Sequence, residues 1–93
     1  MKFRIVDLQI DDRRINETLD AEDADAFLVA ARDRVARELG WKGMFLKTFS
    51  GLQFAQEAVK RYNASSGASQ PIPQTAADFI EFGKSTGHLV VEA

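Results

Sequence analysis

Cysteine is absent from this sequence of 93 residues. Its absence excludes disulfide bonds, zinc sites built from thiolates and catalysis by a thiol. The domain must therefore be held together by side-chain packing alone. Sequences without cysteine are typical of reducing compartments, so we expect a cytoplasmic protein.

Histidine is nearly absent as well, since His88 is the only one. A nucleophilic triad would have to recruit this residue. It follows Gly87 at the start of a predicted strand, where a partly exposed histidine is ordinary. One histidine without cysteine is also a poor basis for a transition-metal site. We therefore predict no catalytic residue, metal, cofactor or small-molecule substrate, and a protein that is not an enzyme.

Long apolar runs are missing too. A membrane-spanning helix needs about 20 consecutive apolar residues, and no run in the chain approaches that length. Charged residues also interrupt residues 1–20, where a signal peptide would have an apolar segment. We therefore expect no membrane partner.

Two segments begin to match ligand-binding motifs without completing them. Gly83-Lys84-Ser85 matches the end of a Walker loop, but the glycine required five positions earlier is Asp78. The acidic residues between positions 20 and 25 lack the central glycine of a calcium-binding loop and lead directly into a predicted helix. Negative charge at a helix N-terminus accounts for them. Neither segment predicts a phosphate or metal site.

The remaining composition is that of one small globular domain. Hydrophobic residues make up 45% of the chain and charged residues 28%, with a net charge of −2. A chain of this length forms one modest core. We therefore predict a single domain over residues 1–93.

Apolar residues alternate with a period of two over residues 2–10, which predicts a strand. The alternation changes phase after Ile5, so we expect a bulge there or a strand that is apolar on both faces. The two aspartates that follow this segment predict a turn. Residues 13–19 are predicted to be a partner strand, with Ile15 and Leu19 facing inward.

Helical spacing of apolar residues predicts a helix over residues 21–39. Asp20 is its predicted N-cap, and Gly40 is predicted to end it. Residues 44–49 are apolar and are predicted to be a strand.

A second helix is predicted to start at Ser50, because Gln53 completes a capping box with it. Asn63 is predicted to end this helix. Serine, glycine and proline predict a loop over residues 64–74.

Thr75 is the predicted cap of a third helix that Gly87 ends, and residues 88–92 are predicted to be a closing strand. The elements follow the order β(β)αβααβ, where the bracketed strand is residues 13–19. Few strands and segregated helices indicate the α+β class. We predict a small, mostly antiparallel sheet of three or four strands, packed on one face against two to three helices.

The charges are unevenly distributed along the chain. Residues 1–25 contain eight acids and four bases, whereas residues 32–61 contain seven bases and three acids. Trp41, Phe45 and Phe54 lie among those bases, a pattern typical of surfaces that bind nucleic acid or an acidic protein patch. The residues predicted to contact a partner are Lys42, Lys47, Lys60 and Arg61.

The acidic segment is the alternative contact surface, and it consists of Asp20, Glu22, Asp23 and Asp25. Ordinary solvated surface would account for either charged segment, and the sequence leaves this choice open. The net acidic charge argues against a dedicated nucleic-acid binder, although not against a local basic stripe.

In overall character, the chain resembles the small single-domain inhibitors that phages and other mobile elements encode, in particular the anti-CRISPR proteins. The matching features are the frame of 93 residues from Met1 to Ala93, the absence of cysteine, the acidic segment 20–25 and the basic segment 42–61. The resemblance spans the whole chain and uses no motif, because anti-CRISPR proteins share none.

This resemblance implies a non-enzymatic inhibitor of a type I CRISPR-Cas surveillance complex, acting in the cytoplasm of the host cell. Acidic patches would mimic nucleic acid, or basic residues would contact Cas proteins and guide RNA, so that target DNA is kept out. Two other functions remain open. One is a cytosolic protein-interaction domain of unrelated role, such as a phage or plasmid accessory protein, and the other is a weak nucleic-acid-binding module.

Overall fold

Residues 1–10, 13–40 and 43–92 are described by the computed structural model of the chain. Their elements are, in chain order, β1 (Lys2–Ile10), β2 (Arg13–Asp20), α1 (Ala24–Leu39), α2 (Gly43–Leu46), α3 (Gly51–Ser66), α4 (Ala76–Thr86) and β3 (Leu89–Glu92). The predicted α+β class is confirmed. The turn predicted at Asp11-Asp12 lies outside the described residues. None of the helices in these ranges is long and apolar enough to cross a membrane.

β1 is the central strand of an antiparallel sheet with the strand order β2-β1-β3. Phe3 lies opposite Leu19 of β2 and Val91 of β3, so apolar side chains of neighbouring strands share one face. The long helices pack against that face. The other face is polar and exposed, and there the guanidinium of Arg4 lies 3.6 Å from the carboxylate of Glu92. The sheet is therefore covered on one side, as predicted.

A bulge interrupts β1 between Ile5 and Leu8, close to the phase change that the sequence contains. The extra residue keeps Phe3, Ile5 and Leu8 on the buried face, whereas strict alternation would turn Leu8 to the polar one. Asp7 takes up the irregularity with φ at 46°. Aspartate adopts this left-handed region more readily than most residues that carry a side chain.

Phe3 and Phe27 form the centre of the hydrophobic core. Their rings are stacked, with centroids 4.5 Å apart and an angle of 20° between the ring planes. Leu28 and Val59 complete the set of largest fully buried side chains in the described ranges. The core thus joins the middle strand to α1 and α3.

Helix α1 begins later than predicted. Its N-cap is Asp23, whose carboxylate accepts a hydrogen bond from the Ala26 N–H at 2.8 Å. Asp20, the predicted cap, is instead the last residue of β2, opposite Lys2. Strand pairing reaches as far as Asp20, so the chain must turn before the helix can start. The end of α1 at Gly40 is confirmed.

The strand predicted over residues 44–49 is wrong, because this segment contains the short helix α2 and a turn. Gly43 packs so closely on α1 that a Cβ atom on it would overlap the Ala36 backbone. This contact holds residues 43–49 against α1 and away from the sheet, so no strand is available to pair with them. A helical turn satisfies the backbone hydrogen bonds locally instead.

Helix α3 begins at the predicted capping box, in which both reciprocal hydrogen bonds are present. It continues past the predicted end at Asn63 to Ser66 and stops at Gly67, which has φ at 73°. The Asn63 side chain has a different role, since its amide binds the N–H and the carbonyl of Gln70. The predicted loop of residues 64–74 therefore starts at Gly67.

Helix α4 is capped by Thr75 and ends at Gly87, as predicted. Within it, Gly83 is buried against β3, and a Cβ atom on Gly83 would lie 2.5 Å from the Cβ of Leu89. The glycine allows α4 to approach the closing strand closely. This contact explains why a residue of low helix propensity stands inside the helix.

Candidate interaction surface

The most exposed large hydrophobic side chains in the described ranges lie together on α2. Met44 is 71% exposed and Phe45 is 69% exposed. Lys47, which follows shortly after them, is exposed as well. Met44, Phe45 and Lys47 are called the α2 surface below. Aromatic residues and methionine are enriched in protein interfaces, so this surface is the leading candidate for a binding site.

Local contacts hold α2 in one position. Leu46 packs against the core, and Gly43 is buried against Ala36. The hydroxyl of Thr48 donates a hydrogen bond to the carbonyl oxygen of Phe45 at 2.6 Å, and the Thr48 N–H donates to the same oxygen at 3.2 Å. One side of this single helical turn therefore faces inward while Phe45 faces water.

Arg32 ties the end of this segment to α1. Its Nη1 donates to the carbonyl oxygen of Phe49 at 2.9 Å, while its Nε and Nη2 donate to the Asp33 carboxylate at 3.0 and 2.9 Å. The Arg32 side chain is only 19% exposed. Because the backbone is held on both sides of α2, binding through Phe45 would require little additional ordering of the chain.

The predicted basic contact residues are only partly brought together. Lys47 adjoins the exposed pair, whereas Lys60 and Arg61 lie further along, on α3. A helix rises about 1.5 Å per residue, so Lys60 lies about 14 Å along α3 from its first residue. The Nε of Arg61 is 3.6 Å from the carboxylate of Glu57. Lys42, the fourth predicted residue, lies outside the described residues.

The predicted acidic alternative is exposed, but much of it is explained by the start of α1. Asp23 caps the helix, Asp25 lies in its first turn, and Asp20 pairs with Lys2 in the strand register. Glu22 lies between them on the surface. Over residues 1–10, 13–40 and 43–92, no group of three or more potential ligands is placed to hold a metal ion.

The structure separates the aromatic residues that the sequence grouped together. Phe54 is buried in the core, Phe45 is exposed, and Trp41 lies outside the described residues. Sequence reasoning missed Met44, because a strand would place Met44 and Phe45 on opposite faces. The sequence did contain one indication of this exposed pair. Met44 and Phe45 lie between Gly43 and Lys47, in a segment as short as one helical turn.

His88 links the bulge of β1 to α3. Its Nδ1 lies 2.9 Å from the carbonyl oxygen of Val6. Because a carbonyl oxygen only accepts, Nδ1 carries the proton and donates it in this hydrogen bond. The Val6 N–H in turn donates to the His88 carbonyl at 2.9 Å, and the imidazole meets the Tyr62 ring edge to face with centroids 5.6 Å apart. These contacts account for the histidine as a residue that fastens the sheet.

A recess, called the β2–α1 groove below, lies between the outer strand β2 and α1, with a volume of about 420 Å³. Ile15 and Val35 contribute apolar surface to it. Arg34 spans it, with Nε 3.2 Å from the Glu17 carboxylate and Nη1 2.7 Å from that of Glu38. The hydrogen bonds that Arg34 donates to Glu17 first, and then to Glu38, raise the pKa of Arg34 above its ordinary value.

The chain matches no protein-family model, no curated protein and no solved structure. Its function is therefore inferred from the surfaces described above.

Proposed function

We propose that this chain is a non-enzymatic binding domain that attaches to another protein through the α2 surface. The observation that carries the proposal is the exposure of Met44 and Phe45 on a segment that Leu46 and Arg32 hold in place. Burying one large apolar side chain contributes about 1.5–3 kcal/mol. Two adjacent anchors of this kind, already ordered before binding, are a sufficient centre for a specific interface.

The chemistry of the α2 surface specifies the kind of partner. Phe45 requires an apolar pocket, and Lys47 favours acidic groups at the rim of that pocket. A standard interface buries about 800 Å² on each partner, which is more than this short segment offers. The interface would therefore extend onto α3, where Lys60 and Arg61 add positive charge.

For the identity of the partner, we propose a type I CRISPR-Cas surveillance complex, on the basis of the resemblance to anti-CRISPR proteins. The chain would occupy a surface of a Cas protein in the host cytoplasm and keep target DNA from binding. Such inhibition is competitive occupancy at fixed stoichiometry and needs no turnover. The features that support it are the small size of the domain, its ordered apolar anchor and the adjoining Lys47, whose charge suits a protein surface beside guide RNA.

The test uses a purified type I surveillance complex loaded with guide RNA and the immobilised wild-type chain. We expect the complex to be retained and its binding of target DNA, measured by gel shift, to fall as the chain is added. The double variant Met44→Ser/Phe45→Ser should weaken retention by roughly a hundredfold or more, as expected when two buried apolar anchors are lost. Val90→Ser removes an exposed apolar side chain on the polar face of the sheet and serves as the matched control.

The outcomes test the role of the α2 surface and the identity of the partner separately. Retention that the double variant leaves unchanged would contradict a role for the α2 surface. Failure of the wild-type chain to retain the complex would contradict this choice of partner. If the chain instead bound free RNA or DNA with a steep dependence on salt, it would be the nucleic-acid-binding module.

The basic residues on α3 have a test of their own. Reversing the charges in Lys60→Glu/Arg61→Glu should weaken partner binding and leave the fold intact, because both side chains are exposed. The loss should shrink as salt is raised, since exposed charges are screened. Binding that survives the reversal at several salt concentrations would exclude this part of α3 from the interface.

A further inference from the structure

A separate surface is the open edge of the sheet along β2. No strand in the described ranges lies beyond β2 in the order β2-β1-β3. The Ala21 N–H donates to the Met1 carbonyl oxygen, so Ala21 directs its backbone polar groups towards β1. Backbone groups alternate in direction along a strand. Leu19 and Glu17 therefore also face β1. The residues that direct their N–H and C=O groups outward, where the described ranges place no further strand, are Arg14, Asn16, Thr18 and Asp20.

The side chains of β2 alternate between the exposed face and the helix-facing side of the sheet, as its backbone groups alternate in direction. Arg14 and Asp20, near its two ends, lie on the exposed polar face. Ile15 and Leu19 point to the helices, but they are only half-buried, because the core stops at this edge. An edge with free hydrogen-bonding groups and incompletely covered apolar side chains is a template for another strand.

We propose that the strand added at this edge is β2 of a second copy of the chain, in antiparallel register about a two-fold axis at Glu17. In this register Arg14 lies opposite Asp20 of the second copy, and both lie on the polar face. Ile15 lies opposite Leu19 of the second copy on the helix-facing side. Asn16 and Thr18, which both direct their backbone groups outward, face each other as a hydrogen-bonded pair.

The charges and the apolar residues select this register over its neighbours. Each contact occurs twice because of the symmetry, so two Arg14–Asp20 ion pairs and two Ile15–Leu19 apolar pairs form together. A slip by two residues in one direction places Glu17 opposite Ile15, and a slip in the other direction places it opposite Leu19. Both slips set a carboxylate against an apolar side chain and lose the ion pairs.

Glu17 meets its own counterpart on the axis, and the β2–α1 groove supplies the compensation. An inward-pointing charge normally protects an edge strand from pairing. Here Arg34 neutralises that charge through its Nε, and Nη1 binds Glu38. Arginine has five N–H donors, so Nη2 remains to donate to Glu17 of the second copy. The groove also has room beside Ile15 and Val35 for Leu19 of the second copy.

A charge-swap experiment tests both the dimer and its register. In sedimentation equilibrium, the wild-type chain should show twice its mass of 10.3 kDa. Arg14→Asp alone places two aspartates opposite each other, and Asp20→Arg alone places two arginines opposite each other. Each change reverses two ion pairs and should raise the dissociation constant by roughly tenfold or more.

Complementation separates this proposal from general loss of structure. An equimolar mixture of the Arg14→Asp and Asp20→Arg proteins should form heterodimers, and the double variant should regain the dimer of the wild type. Lys84→Asp changes an exposed charge on α4 and should leave the mass unchanged. A wild-type chain that is monomeric at high concentration, or a dimer that neither single variant weakens, would overturn the proposal. Single variants that fail to complement each other would overturn the register.

Discussion

Asp7 and Asn16 hydrogen-bond each other in both directions across the bulge. The Asp7 N–H donates to Asn16 Oδ1 at 2.9 Å, and Asn16 Nδ2 donates to Asp7 Oδ1 at 3.0 Å. This exchange stands in for the regular ladder bonds that a bulge disrupts. It also holds Asp7 at φ 46°, and so maintains the bulge that turns Leu8 inward.

Substitutions at Asp7 should therefore distinguish two contributions to stability, that of the side-chain hydrogen-bond acceptor and that of the positive φ. Asp7→Asn keeps an acceptor and tolerates a positive φ, so the free energy of unfolding should change by less than about 0.5 kcal/mol. Asp7→Gly loses the acceptor and should cost about 1 kcal/mol. Asp7→Ala also loses the acceptor, and it keeps a Cβ atom at positive φ without the polar group that lets aspartate tolerate this region, so it should cost about 2 kcal/mol. Urea denaturation followed by circular dichroism measures all three, and an alanine variant as stable as the glycine variant would contradict the left-handed backbone.

Gly83→Ala should destabilise the protein, although alanine is the better helix former. Higher helix propensity contributes about 1 kcal/mol in favour of alanine. The added Cβ would lie 2.5 Å from the Leu89 Cβ and 3.1 Å from its Cδ2, and overpacking of this kind costs about 1–3 kcal/mol. A net loss of about 1 kcal/mol in thermal or urea unfolding is expected. Lys84→Ala, at an exposed position in the same helix, is the control, and a Gly83→Ala protein more stable than the wild type would refute the close packing of α4 on β3.

Ser50→Ala should lower the free energy of unfolding by about 1 kcal/mol, because it leaves the Gln53 N–H of α3 without its acceptor. Ser65→Ala removes a hydroxyl near the other end of the same helix. This hydroxyl donates to the Arg61 carbonyl oxygen, which also lies within the backbone hydrogen-bond pattern of the helix. That control should change stability by less than about 0.5 kcal/mol. Equal effects of the two substitutions would argue that the capping box contributes nothing specific.

The raised pKa of Arg34 leads to a prediction about pH. A folded-state pKa above the unfolded one gives a stabilising contribution that is complete below the unfolded value, and it is lost only as the pH rises through the folded value. The ordinary pKa of an arginine side chain already lies in the strongly alkaline range. The difference in unfolding free energy between the wild type and Arg34→Gln should therefore stay constant from about pH 7 to about pH 10. Urea unfolding of both proteins across this range checks it, and a difference that shrinks in the alkaline part would indicate another titrating group.

Features decided by nearby residues were predictable from the sequence. Period-two alternation located β1, and its change of phase after Ile5 indicated the bulge. The pairing of Ser50 with Gln53 located the start of α3. Each of these patterns involves residues that are close together in the chain, so the sequence alone is enough to predict the feature.

Features decided by tertiary contacts were not predictable. Asp20 and Asp23 are equally good caps, and the choice between them depends on how far β2 pairs with β1. The apolar segment 44–49 suits a strand as well as a helical turn until Gly43 packs on Ala36. The same limit applies to the candidate site, because only the folded chain separates exposed Phe45 from core aromatic residues.

The position of β1 in the middle of the sheet has a consequence for synthesis. One of its neighbours follows at once in the chain, but the other, β3, follows all the helices. On the ribosome, the nascent hairpin of β1 and β2 must wait for residues 89–92 to emerge before the sheet gains its third strand. A two-stranded hairpin is only marginally stable by itself. Throughout that interval Phe3 and Ile5 depend on the emerging helices, or on a chaperone, for cover.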